Sequence, residues 1–337
     1  MKKHIYIYSP SGAVRDKAAF RRGVKRLQAL GHEVEVDEAA LASHQRFAGD
    51  DATRLAAIDR ATASGADVAM ISRGGYGLTR ILPGISYKRV AKAVDKGTQF
   101  VGLSDFTAFQ LAVLAQAGAV TWAGPSLCEG FGVSDRSDVA DGHGAGGQGG
   151  PDEIMEACFD DLIQGQGEGA GWRQHKEREA DIAAAGAFHA RRLGDAADFK
   201  VDDGVLWGGN LAVLCALLGT PYFPAVKEGI LFLEDVTEHP YRIERMLTQL
   251  LHAGVLARQK AIVLGQFTGY KLVPHDQGFK LQSVINWLRS QLKVPVLTNL
   301  PFGHVPTKVL LPVGQACDLV VQGRDVLLLW GEHAHMH

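Results

Sequence analysis

Thr98-Gln-Phe-Val-Gly-Leu-Ser-Asp-Phe-Thr-Ala-Phe-Gln-Leu-Ala-Val-Leu-Ala-Gln-Ala-Gly118 is the stretch that decides the fold. Gln99 to Leu103 is a short apolar run suited to a buried strand. From Asp105 onward, Phe106, Phe109, Val113 and Leu114 fall on one face of a 3.6-period helix. Ser104 stands where one period gives way to the other, two residues after Gly102. A serine on a tight strand-to-helix turn lifts its hydroxyl above the sheet edge, beside the next backbone N–H. The helix N-terminus favours negative charge there, where an oxyanion would form. Ser104 is therefore a candidate nucleophile. The spacing departs from G-x-S-x-G, because Phe106 takes the last place. A second reading fits the same residues, with Ser104 as a helix N-cap and Asp105 as a first-turn acid.

The chain has 337 residues, enough for a large core and two domains. A net charge of −2 gives no electrostatic reason to expect nucleic acid or an anionic membrane as partner. Cys128, Cys158, Cys215 and Cys317 are scattered without C-x-x-C spacing, which fits a reducing compartment better than a disulfide framework or a zinc site. The apolar run after Lys2 and Lys3 is too short for a signal peptide and breaks at Ser9-Pro-Ser-Gly12, so it reads as a first strand. No stretch approaches a membrane span. The expectation is a cytoplasmic protein with no membrane partner.

Apolar strands at 4–8, 32–36, 67–72, 99–103 and 119–123 alternate with helical patterns at 15–30, 53–64 and after Asp105. Such alternation predicts βαβ units and a parallel sheet, with the active crevice beyond the strand carboxyl ends. Arg73-Gly-Gly-Tyr-Gly-Leu-Thr-Arg80 falls at that same edge. Its paired glycines allow close backbone approach and can present N–H groups to an anion. Gly74 or Gly75 would complete an oxyanion hole with the Asp105 N–H; the alternatives are an ordinary turn or a phosphate loop. The segment Ser134 to Pro151 is polar and glycine-rich, and it contains a literal G-x-G-x-x-G (Gly144, Gly146, Gly149). No apolar strand leads into it, so it reads as a loop rather than a dinucleotide site. A helix is expected at 152–164, a charged interdomain crossing to about Asp203, and a glycine turn at 206–210 feeding a buried helix. A strand at 229–236, the helix 241–252, a strand at 260–266, a helix at 284–292 and short antiparallel strands in the tail make the rest mixed α/β.

A nucleophilic serine needs a base, and the base an orienting acid. His304 stands out among the histidines, in a loop shaped by Gly303 and Pro306. His239 precedes Pro240 and suits a surface or capping role, and His333, His335 and His337 lie on a polar terminus. Glu234 and Asp235 both end a hydrophobic strand, where a buried carboxylate requires a partner. Spacing does not choose between them. No histidine–carboxylate cluster has metal-ligand spacing, so no metal or other cofactor is expected.

Gly102-Leu-Ser-Asp-Phe-Thr107, Arg73-Gly-Gly-Tyr-Gly77, Leu206-Trp-Gly-Gly-Asn-Leu211, Leu233-Glu-Asp-Val-Thr-Glu-His-Pro240 and Phe302-Gly-His304 together resemble the LD-carboxypeptidases (muramoyltetrapeptide carboxypeptidases) of serine peptidase family S66. The resemblance implies a flavodoxin-like N-terminal domain and a smaller mixed α/β C-terminal domain. The expected boundaries are 1–133 for the nucleophile domain, 134–204 for the glycine-rich loop and interdomain segment, and 205–337 for the domain bearing the acid and base. It further implies a Ser104–Glu234–His304 triad, with Glu234 rather than Asp235 as the acid. The oxyanion hole would use backbone N–H groups of Asp105 and the Gly74–Gly75 turn. Arg73 or Arg80 is a candidate for the substrate carboxylate. The implied protein is a homodimer that cuts terminal D-alanine from murein tetrapeptide, and related muropeptides, during cytoplasmic peptidoglycan recycling. Two rivals remain at this stage. One is the microcin-immunity branch, which cleaves acyl-adenylates and for which Trp172 could stack on a base. The other is a non-catalytic binder of a nucleotide or sugar phosphate. The role of the glycine-rich segment 142–150 is open.

Overall fold

The computed structural model describes residues 2–134, 150–194 and 198–331. Among these, the strands in chain order are β1 (His4–Tyr8), β2 (Glu33–Val36), β3 (Val68–Ile71), β4 (Gln99–Gly102), β5 (Thr121–Ala123), β6 (Gly169–Arg173), β7 (Phe199–Asn210), β8 (Ile230–Val236), β9 (Ala261–Thr268), β10 (Val296–Leu297), β11 (Leu311–Val313), β12 (Ala316–Gln322) and β13 (Asp325–Leu329). They form two mixed sheets in two compact units. The first unit comprises Met1–Gly167, Ala216–Ala225 and Val305–Gly314, and the second Glu168–Cys215, Val226–His304 and Gln315–His337. The predicted two-domain α/β class is the one observed.

In the first unit the sheet order is β11-β5-β4-β3-β1-β2. Five strands run parallel, and β11 is antiparallel to β5 at the edge. Ile5, Val68, Met70 and Val101 are fully buried, as expected for strands covered on both faces. The helix Thr107–Ala117 is buried around its whole first half, Thr107 to Val113, and ends at Gly118 in a left-handed C-cap. Phe106 and Phe109 stack at 4.8 Å beneath the Ser104 turn. The loops after β1, β3 and β4 all leave the carboxyl edge of the sheet, which is where α/β proteins assemble sites.

The second unit has the order β10-β9-β8-β7-β12-β13-β6. The segment expected as an interdomain crossing divides: the helix Glu153–Gln164 belongs to the first unit, whereas β6 and β7 are built into the second sheet. The glycine turn expected at 206–210 is instead the end of the twelve-residue strand β7, pairing with β8 in parallel from Leu206 to Asn210. Gly208 sits at φ 134°, and a Cβ there would lie 1.9 Å from the Phe232 carbonyl oxygen. The glycines therefore permit close pairing rather than a turn. A boundary at 204/205 would cut this strand, which is why the expected limits 134–204 and 205–337 differ from the two compact units. The candidate fingerprint glycines Gly144, Gly146 and Gly149, segment 142–150 except Gly150, and His333, His335 and His337 lie outside the described residues.

Candidate active site

β4 ends at Gly102, Leu103 is extended, and Ser104 takes φ 65°, in the left-handed region. That conformation costs a non-glycine residue roughly 1–3 kcal/mol and persists only where the surroundings enforce it. A 3-10 turn, Ser104–Phe106, then leads into the helix beginning at Thr107. Ser104 does not cap that helix: Phe106 occupies the cap position, with no side-chain cap bond. An N-cap residue normally takes extended backbone, so the capping reading of Ser104 is set aside.

The glycine loop after β3 packs directly on this turn. A Cβ placed on Gly74 would be 2.7 Å from Ser104 Cβ, 2.9 Å from its Oγ and 3.4 Å from the Asp105 nitrogen. Gly75 takes φ 117°, and the Gly12 N–H donates to the Gly74 carbonyl at 3.2 Å. Ser104, Gly74, Gly75 and Asp105 are thus brought together within the first unit. The Asp105 side chain, which the capping reading made an acid of the helix's first turn, turns away into the protein and is 2% exposed. It accepts hydrogen bonds from the Ser11 hydroxyl and from the Leu78 N–H at 2.9 Å. Burial pushes its carboxyl upward, while the Ser11 and Leu78 bonds and the charge of Arg54 oppose that shift.

The two arginines differ. Arg80 is more than half exposed and its Nε donates to Asp51 Oδ2 at 2.8 Å, so its charge is already partnered. Arg73 is half-buried beside the glycine loop, with a long contact from Nη1 to the Ala13 carbonyl at 3.4 Å.

In the second unit, Glu234 is fully buried on β8 and its Oε2 lies 2.8 Å from His304 Nδ1. Two glycines make this approach possible. β9 carries an extra residue opposite Glu234, the pairing passing from Leu233↔Leu264 to Asp235↔Phe267. On that bulge, a Cβ at Gly265 would meet the Phe302 carbonyl oxygen at 2.6 Å. Gly303, at φ 135°, lets the loop pass Glu234, since its Cβ would stand 3.1 Å from Oε2. The Gln266 N–H donates to the Phe302 carbonyl at 2.9 Å, fixing the His304 loop to the bulge.

Asp235 plays a different part. It accepts from the Ala212 N–H at 2.9 Å and from its neighbour Val236 N–H at 2.8 Å. Burial and the adjacent Glu234 charge raise its carboxyl to about 6. Asn210, overlooked by sequence reasoning, spans the two acids: its Nδ2 donates to Glu234 at 3.2 Å and to Asp235 at 3.1 Å, while its Oδ1 accepts from the Val213 N–H. The only signal for it was its place at the end of Leu206-Trp-Gly-Gly-Asn. A neutral His304 bonded through Nδ1–H to a carboxylate would present Nε2 as a base.

His239 caps the helix Pro240–His252, its Nδ1 accepting from the Tyr241 N–H at 3.4 Å, and pairs with Asp276 through Nε2 at 3.1 Å. Trp172 lies on β6 with its Nε1–H donating to the Thr298 carbonyl at 3.1 Å. Among the described residues, no group of three His, Cys, Asp or Glu is arranged to hold a metal ion. No described helix is long and apolar enough to cross a membrane.

A model of the LD-carboxypeptidase N-terminal domain of the S66 peptidases matches residues 5–124, and that of the C-terminal domain matches 203–319. The chain belongs to the LD-carboxypeptidase family. The matched ranges take in β1 to β5 in whole or part and reach from within β7 into β12; β6 and β13 lie outside them, and the stretch between, 125–202, contains the glycine-rich segment and the charged crossing expected from the sequence. The murein tetrapeptide carboxypeptidase of Pseudomonas aeruginosa is 29% identical over 256 residues, covering 73% of this chain and 70% of that protein. The crystal structure of muramoyltetrapeptide carboxypeptidase from Oxalobacter formigenes is 35% identical, with a TM-score of 0.79 over 98% of this chain and 99% of that one. The microcin C7 self-immunity protein in complex with aspartyl sulfamoyl adenosine shares the fold, with a TM-score of 0.76 over 99% of this chain and 97% of that one, at 20% identity.

Proposed function

We propose that this LD-carboxypeptidase family member is a serine peptidase releasing the terminal D-alanine of murein tetrapeptide, at the meso-diaminopimelate–D-alanine bond. The observation that carries the reading is Ser104, held at φ 65° with Gly74 in contact and the Asp105 N–H beside it. Ser104 Oγ attacks the terminal peptide carbonyl, and His304 takes its proton. Glu234 holds the imidazole in the required tautomer and stabilises the imidazolium that forms. Backbone N–H groups of Asp105 and the Gly74–Gly75 turn receive the oxyanion. Protonated His304 then gives its proton to the departing amine, and water hydrolyses the acyl-enzyme with His304 again as base. Arg73 is the better of the two candidates for the substrate carboxylate, because Arg80 is already paired with Asp51.

The substrate assignment draws on the Oxalobacter formigenes relative, 35% identical over nearly the whole chain. The immunity-protein likeness, at 20% identity, speaks to fold alone. A cytoplasmic recycling role and a homodimer complete the proposal. The test is incubation with murein tetrapeptide and, separately, with an aminoacyl-adenylate, following free D-alanine and free AMP. D-alanine release without adenylate turnover supports the reading; adenylate turnover alone would replace it with the immunity-type activity. Light scattering giving a monomer mass would remove the dimer.

A further inference from the structure

The first unit contains one buried carboxylate at the site for which the proposed reaction has no use. Asp105 contributes its backbone N–H to the oxyanion hole, yet its side chain points the other way and is 2% exposed. Through Oδ2 it receives the Ser11 hydroxyl, from the loop after β1, and the Leu78 N–H, from the first residue of the short helix Leu78–Ile81 that follows the glycine loop. The loop after β1 is tied onward to the glycine turn, and the glycine loop is itself anchored at its far end. The Gly12 N–H donates to the Gly74 carbonyl at 3.2 Å, and the Gly77 carbonyl accepts from Arg54 Nη1 at 2.8 Å. Arg54 is itself fully buried and anchored to Asp51 at 2.6 Å. Neither strand nor helix geometry demands an acid at 105, and burying one is costly unless its bonds are made.

We infer that the Asp105 carboxylate is a positioning group for the oxyanion hole. By holding Ser11 and Leu78 it fixes the Gly74–Gly75 amides relative to Asp105's own N–H, so that both donors reach one oxygen. One residue thus supplies a donor from its backbone and sets the place of the opposing donor with its side chain. The inference rests on the reading of Ser104 as nucleophile.

The test compares wild type with Ser11→Ala, Asp105→Asn, Asp105→Leu and Ser104→Ala. The readouts are kcat and KM for D-alanine release from murein tetrapeptide, the affinity of a peptidyl boronic acid, and the thermal midpoint. A misplaced donor costs up to about 100-fold, so Asp105→Leu should lose about that in kcat and Ser11→Ala roughly tenfold, with KM within about threefold. Asp105→Asn keeps an oxygen acceptor for Leu78 and Ser11 and should recover most of the loss. Boronic acid affinity should fall in step with kcat, because its tetrahedral adduct needs the hole; a purely structural role would lower the midpoint without that parallel. Where Asp105→Leu does not fold, Ser11→Ala carries the comparison. Wild-type kcat and boronate affinity in folded Ser11→Ala, with Ser104→Ala inactive, would overturn the positioning role and leave the serine mechanism standing. Full release by Ser104→Ala would remove the serine mechanism and this inference with it.

Discussion

Replacing Gly74 by alanine tests the contact between the glycine loop and the serine turn. The added Cβ would sit 2.7 Å from Ser104 Cβ and 2.9 Å from Oγ. Carbon atoms in ordinary contact stand about 3.5–4.0 Å apart, so loop and serine must separate by roughly 1 Å. Displacement of that size at a reacting centre costs about 100-fold, or about 2.7 kcal/mol of barrier. Gly74 does not take a positive φ, so the backbone tolerates alanine and the loss is not one of strain. Gly97→Ala is the matched control, with φ 99° and nothing within 4 Å of the new Cβ. It should lower the thermal midpoint and leave kcat within about threefold. The assay is steady-state D-alanine release from murein tetrapeptide, with circular dichroism melts of all three proteins. A folded Gly74→Ala protein with wild-type kcat would refute the reasoning, because the clash would then have been absorbed away from Ser104.

Glu234→Gln should lower kcat by about 10,000-fold with little change in KM, since a neutral amide neither fixes the same tautomer nor stabilises the imidazolium; a drop below about tenfold would show that His304 works without the acid. Arg73→Ala should raise KM about tenfold, the scale of one charge-assisted hydrogen bond, whereas Arg80→Ala should leave it within about threefold because Arg80 is paired with Asp51. The reverse order would transfer the carboxylate contact to Arg80. Asp235 sets a pH dependence of known sign. Its carboxyl is raised from 3.8 to about 6 in the folded state, so the folded protein holds that proton more tightly than the unfolded chain does. The penalty from its charge is absent below about pH 4, grows as pH rises, and is complete above about pH 6. Carboxyl carbon NMR of the folded protein should show one aspartate, lost in Asp235→Asn, titrating near 6; titration near 4 would contradict the buried placement beside Glu234.

The parallel part of the first sheet was legible because β1, β3 and β4 are buried on both faces and read as apolar runs between turn residues. The strand-to-helix switch at Ser104 was equally visible as a change of period. The strand β7 was not: Asp202 and Asp203 interrupt its exposed end, and Gly208 and Gly209 imitate a turn while allowing close pairing with β8. Nor could local patterns show that Leu311–Val313, near the end of the chain, returns to the first sheet beside β5. The choice of Glu234 over Asp235 required the family resemblance, because it depends on a bulge in β9 and on Gly303, not on spacing within β8. The buried bonds of the Asp105 carboxylate, read from sequence only as a first-turn acid, and the bridging amide of Asn210 escaped notice for a common reason. Their partners, Ser11 and Leu78 for one, Glu234 and Asp235 for the other, are distant in sequence and meet only through the sheets.

The central claim is that Ser104 performs acyl transfer on a murein tetrapeptide. Its most direct test is D-alanine release by wild type and Ser104→Ala, combined with fluorophosphonate labelling and peptide mapping. The account predicts release by the wild type, loss of about 1,000-fold or more in Ser104→Ala, and a single labelled peptide containing Ser104. Equal release by both proteins, or a label on any other residue, would contradict it.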